Sequence, residues 1–511
     1  MVMRSSQDDR EDFENSWQRT RDRKRESRAC SGSRRDRGNS ELEGEQPLKK
    51  IGLPPRPVPA VHRGHLEIDR KIRQLFPEGS GFSAADVGRF LEANSFALNA
   101  VSLANVLTRL AERPGDRAQL QDTVLADVTQ RALLMFLADE IKAGPREISS
   151  AWRVVASFGV TNREILASLA EKSTRLLGVF GPLDFGFTAM GLAASRGGEQ
   201  SVPPLLARAC QAFRSRMRDF EPEAAALFLK ALSQGDCTDQ QLAIEVAAYM
   251  LEPRETGLPR GAGDNGRVQL QLDTLSLDSM GTLLRSLAIV QARSIEILDA
   301  VTERLEEAFL RTGSCGKALP RAKGAGDYLW AAVAMGYDVP PALKEELSCH
   351  IHSELDQCKE ARQREILSSV AMPALLAVGM NSPRVERSFR QLEKVRFEQK
   401  SPSSSLELAI GTTLGSLGVA FELEHPVGPY RLDFLLKLPG GRIVNLEADG
   451  DAHHLLRDVS SNKLLAAYRG QDVVRDRVME SLGMEVVRVL ASEWNAAPDK
   501  AKYIMARLGL P

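Results

Sequence analysis

From about Leu66 to Gln399 apolar residues recur every three to four positions, the spacing of helices that each bury one face. Within this stretch one phrase returns: a helix that ends in small residues and then stops. VVASFG closes at Gly159, GLAASRG at Gly197 and KALSQG at Gly235, at intervals of 38 residues. Weaker echoes close at Gln291 (SLAIVQ), Gly336 (AAVAMG) and Gly379 (LLAVG). Each phrase is followed by a short turn and a second helix, over 164–177, 203–217, 239–251, 294–310, 341–355 and 384–397. The pattern predicts six helix pairs, one α-hairpin per unit. A lone hairpin cannot bury its apolar face, so the pairs should stack into a solenoid-like array. The small residues before each stop should let the first helices of neighbouring pairs approach closely.

The pattern changes near residue 400. Residues 431–438 alternate and read as a strand, Pro439-Gly440-Gly441 turns the chain, and 442–448 form a second strand rich in branched residues. Residues 471–482 have helical spacing and stop at Gly483, a good helix terminator; 484–490 return as a buried strand. The expected fold is mostly α, with an α/β domain at 401–511 after a helical array at 66–400. Residues 1–65 are rich in Arg, Ser, Asp and Glu, with basic runs at 19–28 and 34–37 and a Pro-rich end at 51–60. They read as a disordered charged tail. Asp8, Asp9, Glu11, Asp12 and Glu14 spoil the acid-free pattern of an organellar transit peptide.

Composition narrows this little. The net charge is -1, so any nucleic-acid surface must be a local patch rather than a property of the whole chain. Six cysteines in 511 residues give no disulfide framework, and reduced thiols are expected. No apolar run reaches the roughly 18 residues of a membrane helix, so no membrane insertion is expected.

Several motifs carry candidate chemistry. Glu447 and Asp449 stand two apart on one strand and project from one face, and the hairpin can bring Asp433 beside them. Residues 261–266 match the spacing G-x-G-x-x-G but lack the flanking strand and helix, so they read as a flexible loop. Residues 313–326 look like a second loop, with Lys317, Arg321 and Lys323 as a basic patch. Cys349, His350, His352 and Cys358 lack the paired spacing of a zinc site and read as an ordinary helix.

The C-terminal segment resembles a RAP domain, an RNA-binding domain abundant in apicomplexan parasites. The resemblance rests on Pro426-Val427-Gly428-Pro429-Tyr430, Leu432-Asp433, Glu447-Ala448-Asp449-Gly450 with His453, Gly470, Arg475 and Arg477, Leu482-Gly483 and Glu493-Trp494. It covers the last sixth of the chain. It implies a restriction-endonuclease-like fold and, for the chain, RNA binding in mitochondria or plastids. There such a protein would serve transcript or ribosomal RNA processing, stability or translation. The preceding pairs resemble octotricopeptide and heptatricopeptide repeats and FAST-kinase-like proteins, although the Pro-Pro-Pro-Glu-Trp signature is absent. Implied partners are single-stranded or structured RNA and other organellar RNA-processing or ribosomal proteins.

In the related metal-dependent nucleases an Asp on one strand and Glu-x-Lys on the next hold Mg²⁺ and activate water. Asp433 and Glu447 match the acids, and Asp449 stands where the Lys would be. His453 or His454 would then carry a proton. Three readings stay open at this point: an RNA binder that keeps the acids for structure, with Asp449 capping or pairing with Arg475; a Mg²⁺-dependent endoribonuclease using Asp433, Glu447, Asp449 and His453; and a scaffold without RNA contact. Arg431, Lys437, Arg442, Arg457, Lys463, Arg469, Arg475 and Arg477 are candidate phosphate contacts. Tyr468 is either a base-stacking residue or helix packing, and Trp494 is expected to anchor a core.

Overall fold

The computed structural model describes residues 60–76, 82–111, 123–138, 142–195, 202–235, 237–254, 268–309, 319–359, 361–392, 404–461 and 463–511. The charged tail up to residue 59, the stretch 261–266, Gly197 and Lys317 lie outside the described residues. The described residues fall into two compact units, divided between Val106 and Leu107. In the first, α1 (Ala60–Leu75) begins ahead of the expected start near residue 66, and α2 (Ala84–Asn94) follows. Ile68, Ile72, Val87, Phe90 and Leu91 are their buried faces. Ser83 caps α2, its hydroxyl accepting the Asp86 N–H at 3.3 Å. α3 (Ala100–Ala111) spans the division.

The second unit is mostly helical with a small C-terminal sheet region. After α4 (Thr123–Leu137) come α5 (Pro145–Phe158) with α6 (Arg163–Leu176), α7 (Pro182–Ala194) with α8 (Val202–Arg216), and α9 (Pro222–Ser233) with α10 (Gln240–Met250). Then follow α11 (Leu277–Ile289) with α12 (Ile295–Phe309), α13 (Ala322–Met335) with α14 (Pro341–Gln357), and α15 (Ala361–Ala377) with α16 (Pro383–Gln391). Each first helix packs on the next, from α5 through α7, α9, α11 and α13 to α15. Among the second helices, α6 packs on α8, α10 on α12 and α12 on α14.

The repeated phrases end where the backbone turns left-handed. Gly159, Gly336 and Gly379 have φ of 60, 66 and 85°, and Gln291 takes the same conformation at 55° without being glycine. Gly235 serves packing instead: a Cβ there would lie 3.3 Å from Ala193 Cβ on the preceding first helix. The approach is closer still within the first helices. A Cβ on Gly191 would meet the Trp152 carbonyl oxygen at 2.5 Å, and one on Gly281 would meet the Gly324 carbonyl oxygen at 2.5 Å.

Residues 313–326 are not a loop throughout, because α13 begins at Ala322. Its glycines serve helix contact: a Cβ on Gly324 would meet Asp278 Oδ1 at 2.5 Å, and one on Gly326 would meet Ala371 Cβ at 3.2 Å. Two of the three residues of the expected basic patch are paired with acids. Arg321 Nε pairs with Asp278 at 2.7 Å, and Lys323 Nζ with buried Asp327 at 3.0 Å. A second signal joins the early pairs. Pro145, Pro182 and Pro222 each open a first helix, where a missing N–H costs nothing. Phe180 and Phe220, just upstream of two of them, join Phe185, Phe213 and Phe228 in a buried aromatic cluster.

At the C-terminus α17 (Ser405–Ser416) leads into β2 (Phe421–Val427), β3 (Tyr430–Lys437) and β4 (Ile443–Asp449). α18 (Asp451–His454), β5 (Leu455–Asp458), β6 (Leu464–Tyr468), α19 (Gly470–Ser481), β7 (Glu485–Leu490), α20 (Ala491–Ala496) and α21 (Lys500–Leu508) complete the chain. The main sheet has the order β2-β3-β4-β7, antiparallel except for the last pair, β4 and β7, which α19 connects. One face is apolar: Phe434, Leu436, Val444, Leu446, Val487 and Val489 meet Ile410, Leu414, Trp494, Ile504 and Leu508. Trp494 is thus the core anchor expected of it.

The α/β segment is fastened to the helix pairs twice. Between α9 and α10 the chain forms β1 (Cys237–Thr238), which pairs in parallel with β5, Cys237 opposite Arg457. α19 packs on α11, α13 and α15. Its first residue, Gly470, sits so close to α11 that a Cβ would fall 2.3 Å from the Ala288 carbonyl oxygen. Among the described residues no helix is long and apolar enough to cross a membrane.

The backbone contact at Gly281 gives a direct test. Gly281→Val should lower stability by about 1–3 kcal/mol, the cost of overpacking a well-filled core. Gly178→Ala, where a Cβ meets nothing within 4 Å, should stay within about 0.5 kcal/mol of wild type. Urea denaturation of the two variants compares them.

Candidate functional site

The second face of the main sheet is charged. Strand alternation places Asp433 on β3, Asn445, Glu447 and Asp449 on β4, and Arg488 on β7 opposite the apolar side. The β3–β4 register, Phe434 opposite Leu446, puts Asp433 across from Glu447. Asp433 Oδ2 accepts the Ala448 N–H at 2.8 Å, so the three acids do meet on one face.

α19 lies over that face and meets it with charges of both signs. Arg475 Nη2 contacts Glu447 Oε1 at 2.5 Å and donates to the Arg431 carbonyl oxygen at 2.5 Å. Arg488 Nη1 holds Asp449 Oδ2 at 2.8 Å, while its Nη2 reaches Asp476 on α19 at 2.7 Å. Asp449 therefore pairs with Arg488, and Arg475 takes Glu447 instead. A strand position sets this: Arg488 is the register partner of Glu447 and projects on the same face. Glu447 and Asp449 are each 1% exposed.

His454 stands at the mouth of this layer. Its Nδ1 lies 3.2 Å from Asp472 Oδ1 and its Nε2 lies 3.4 Å from Asp449 Oδ1. Burial draws its pKa down, but Asp472 and Asp449 outweigh that and hold it above the usual imidazole range. The His453 side chain, the proton carrier considered from sequence, lies outside the described residues. Burial pushes the carboxyls of Asp433 and Glu447 up. Arg475 opposes the rise at both without cancelling it. The two titrate as a pair that keeps a proton more readily than exposed carboxylates do.

The oxygens of Asp433, Glu447 and Asp449 are the right donors for Mg²⁺, but their arrangement does not fit it. One oxygen of Asp433 is engaged by a backbone N–H, and one each of Glu447 and Asp449 by a guanidinium, while Asp449 Oδ1 is buried without a hydrogen-bond partner. Among the described residues no group of three or more His, Cys, Asp or Glu is disposed to hold a metal ion. The chain segment 349–358 is a helix surface in keeping with that: His350 Nε2 contacts the Pro320 carbonyl oxygen at 2.6 Å and His352 Nδ1 the Ser348 carbonyl oxygen at 2.7 Å.

The candidate phosphate contacts divide by exposure. Arg475 is turned inward, and Arg431 is paired with Glu424. Lys437 pairs with Glu422 at 3.1 Å and Arg442 with Glu485 at 2.8 Å. Arg469 is buried, whereas Lys463 is exposed. Arg457 sits on β5 beside β1. Arg477 points out from α19, 59% exposed, 2.9 Å from Glu480. Tyr468 ends strand β6 rather than lying on a helix, and its ring lies under the Arg488 guanidinium at 4.9 Å.

Arg488, Asp472 and Asp476 were not picked out from sequence, whereas His454 was, as an alternative proton carrier to His453. Arg488 left a signal, since a charge in the middle of the otherwise apolar run Val486–Leu490 must find a partner when the strand is buried. No model of a known protein family matches the chain, and no curated protein matches it.

Two outcomes follow from this layer. Arg488→Met should cost about 3–5 kcal/mol in urea unfolding, because buried Asp449 and half-buried Asp476 would lose the guanidinium they share. Asp433 and Glu447 hold protons more tightly when folded than unfolded. Their contribution to stability is therefore full below the ordinary carboxylate range and fades as pH rises toward neutrality. Asp433→Asn should flatten that part of the stability profile, read as urea midpoints between about pH 4 and about pH 8; an unchanged slope would contradict it.

Proposed function

We propose that this chain is an RNA-binding protein of mitochondrial or plastid RNA metabolism, acting in processing, stability or translation of transcripts or ribosomal RNA. The observation that carries the reading is a helix and three antiparallel strands, α17-β2-β3-β4, followed after α18, β5 and β6 by the helix α19 and the parallel strand β7, with Asp433, Glu447 and Asp449 on one face of the main sheet. It supports the resemblance to a RAP domain that the sequence of this segment carries. The row of packed first helices ahead of it supports reading the helix pairs as a solenoid-like array that holds an extended strand.

Binding without cutting is the form of the function that the site favours. A nuclease needs its acids free for a metal, and here one oxygen each of Glu447 and Asp449 is taken by Arg475 and Arg488. The acids tie the sheet to α19, and RNA meets cations at the surface. Arg477 is the exposed member of the Arg pair on α19 and is the first contact to test.

The purified full-length chain should retain single-stranded RNA in a filter assay, with affinity falling as salt rises. Arg477→Ala should weaken binding about equally for unrelated sequences and reduce the log–log salt slope by about 0.7, the share of one single-strand phosphate contact. A chain that retains no RNA at low salt, yet captures protein partners, would instead be a scaffold.

A further inference from the structure

The poor fit of this face to a metal has a specific cause. Nη2 of Arg475 touches one carboxylate oxygen, on Glu447, and one main-chain carbonyl oxygen, on Arg431. These are the ligand types that a hard divalent cation takes. Asp433 stands beside them, across the strand from Glu447. The guanidinium also lies 5.9 Å from the centre of the Tyr430 ring, and the side chain is 15% exposed. Its helix is seated on α11 by the Gly470 contact. Unlike a lysine, an arginine keeps its charge at any pH the fold will meet.

We propose that the Arg475 guanidinium is the resident cation of this face. It takes the Glu447 and Arg431 oxygens that a divalent ion would need, and so makes a nuclease-like sheet indifferent to metal. This rests on reading the segment as a relative of the metal-dependent nuclease fold. It assigns Arg475 a role different from RNA contact: it neutralises Glu447 from within. Arg488 does the same for Asp449, so the replacement extends along the whole acidic edge of β4.

Removing the guanidinium should expose the site. Melting curves and calorimetric titrations of the full-length chain with Mg²⁺ and Mn²⁺ test this. Wild type should show no shift in melting temperature, and no calorimetric binding, at millimolar ion. Arg475→Ala should melt lower in chelator and recover several degrees in Mn²⁺. The double variant Arg475→Ala, Glu447→Gln should lose that response. Arg475→Gln, which keeps most of the side-chain volume, gives the same comparison if the alanine variant does not fold. Ion-dependent stabilisation of wild type that disappears in Glu447→Gln would overturn the proposal. So would folded Arg475→Ala or Arg475→Gln with no ion response. These measurements contain no RNA. A chain that shows this ion pattern but binds no RNA would remove the proposed function and leave the cation assignment in place, and the converse result would do the opposite.

Discussion

Charge pairing between β4 and its neighbours is the constraint on which the C-terminal architecture depends. Three acids and Arg488 share one face of a small sheet, and a helix is laid over them. Taking such groups out of water is costly, and a missing partner costs more than the whole pair contributes. α19 supplies Arg475 and Asp476 to that face, and β7 supplies Arg488 between Asp449 and Asp476. The arrangement fixes which way α19 faces. It also decides which cations remain for a partner outside: Arg475 is spent inward, Arg477 is not.

The same helix joins the two kinds of structure in the unit. Its underside meets the sheet, and it also packs on the first helices α11, α13 and α15. Gly470 permits backbone contact with Ala288 in α11. The short pairing of β1 with β5 adds a second fastening near α9 and α10. An α/β segment fixed in this way cannot swing on a linker. If the chain binds RNA as proposed, strands held by the helix pairs and by the segment are presented in one fixed relation.

Much of the fold was legible because its signals are local. The small-residue stops marked helix ends correctly even at Gln291, where a non-glycine residue takes the left-handed turn. Strand alternation placed Asp433, Glu447 and Asp449 together, because period two and one hairpin suffice for that. What sequence missed needed tertiary contact. Gly324 and Gly326 look like loop residues until a neighbouring helix is seen against them. The choice of Arg488 over Arg475 as the partner of Asp449 depends on the parallel register of β4 and β7, which no local pattern specifies. The strand β1 is two residues long and exists only because β5 lies beside it.

On the proposed reading this chain holds RNA through surface cations while its acids are neutralised from inside. The most direct measurement is to incubate end-labelled single-stranded RNA with the full-length chain in Mn²⁺ and to follow retention and fragment length in the same samples. The account predicts retained RNA of unchanged length. Metal-dependent fragments that vanish with Glu447→Ala, or an absence of retention at low salt, would contradict it.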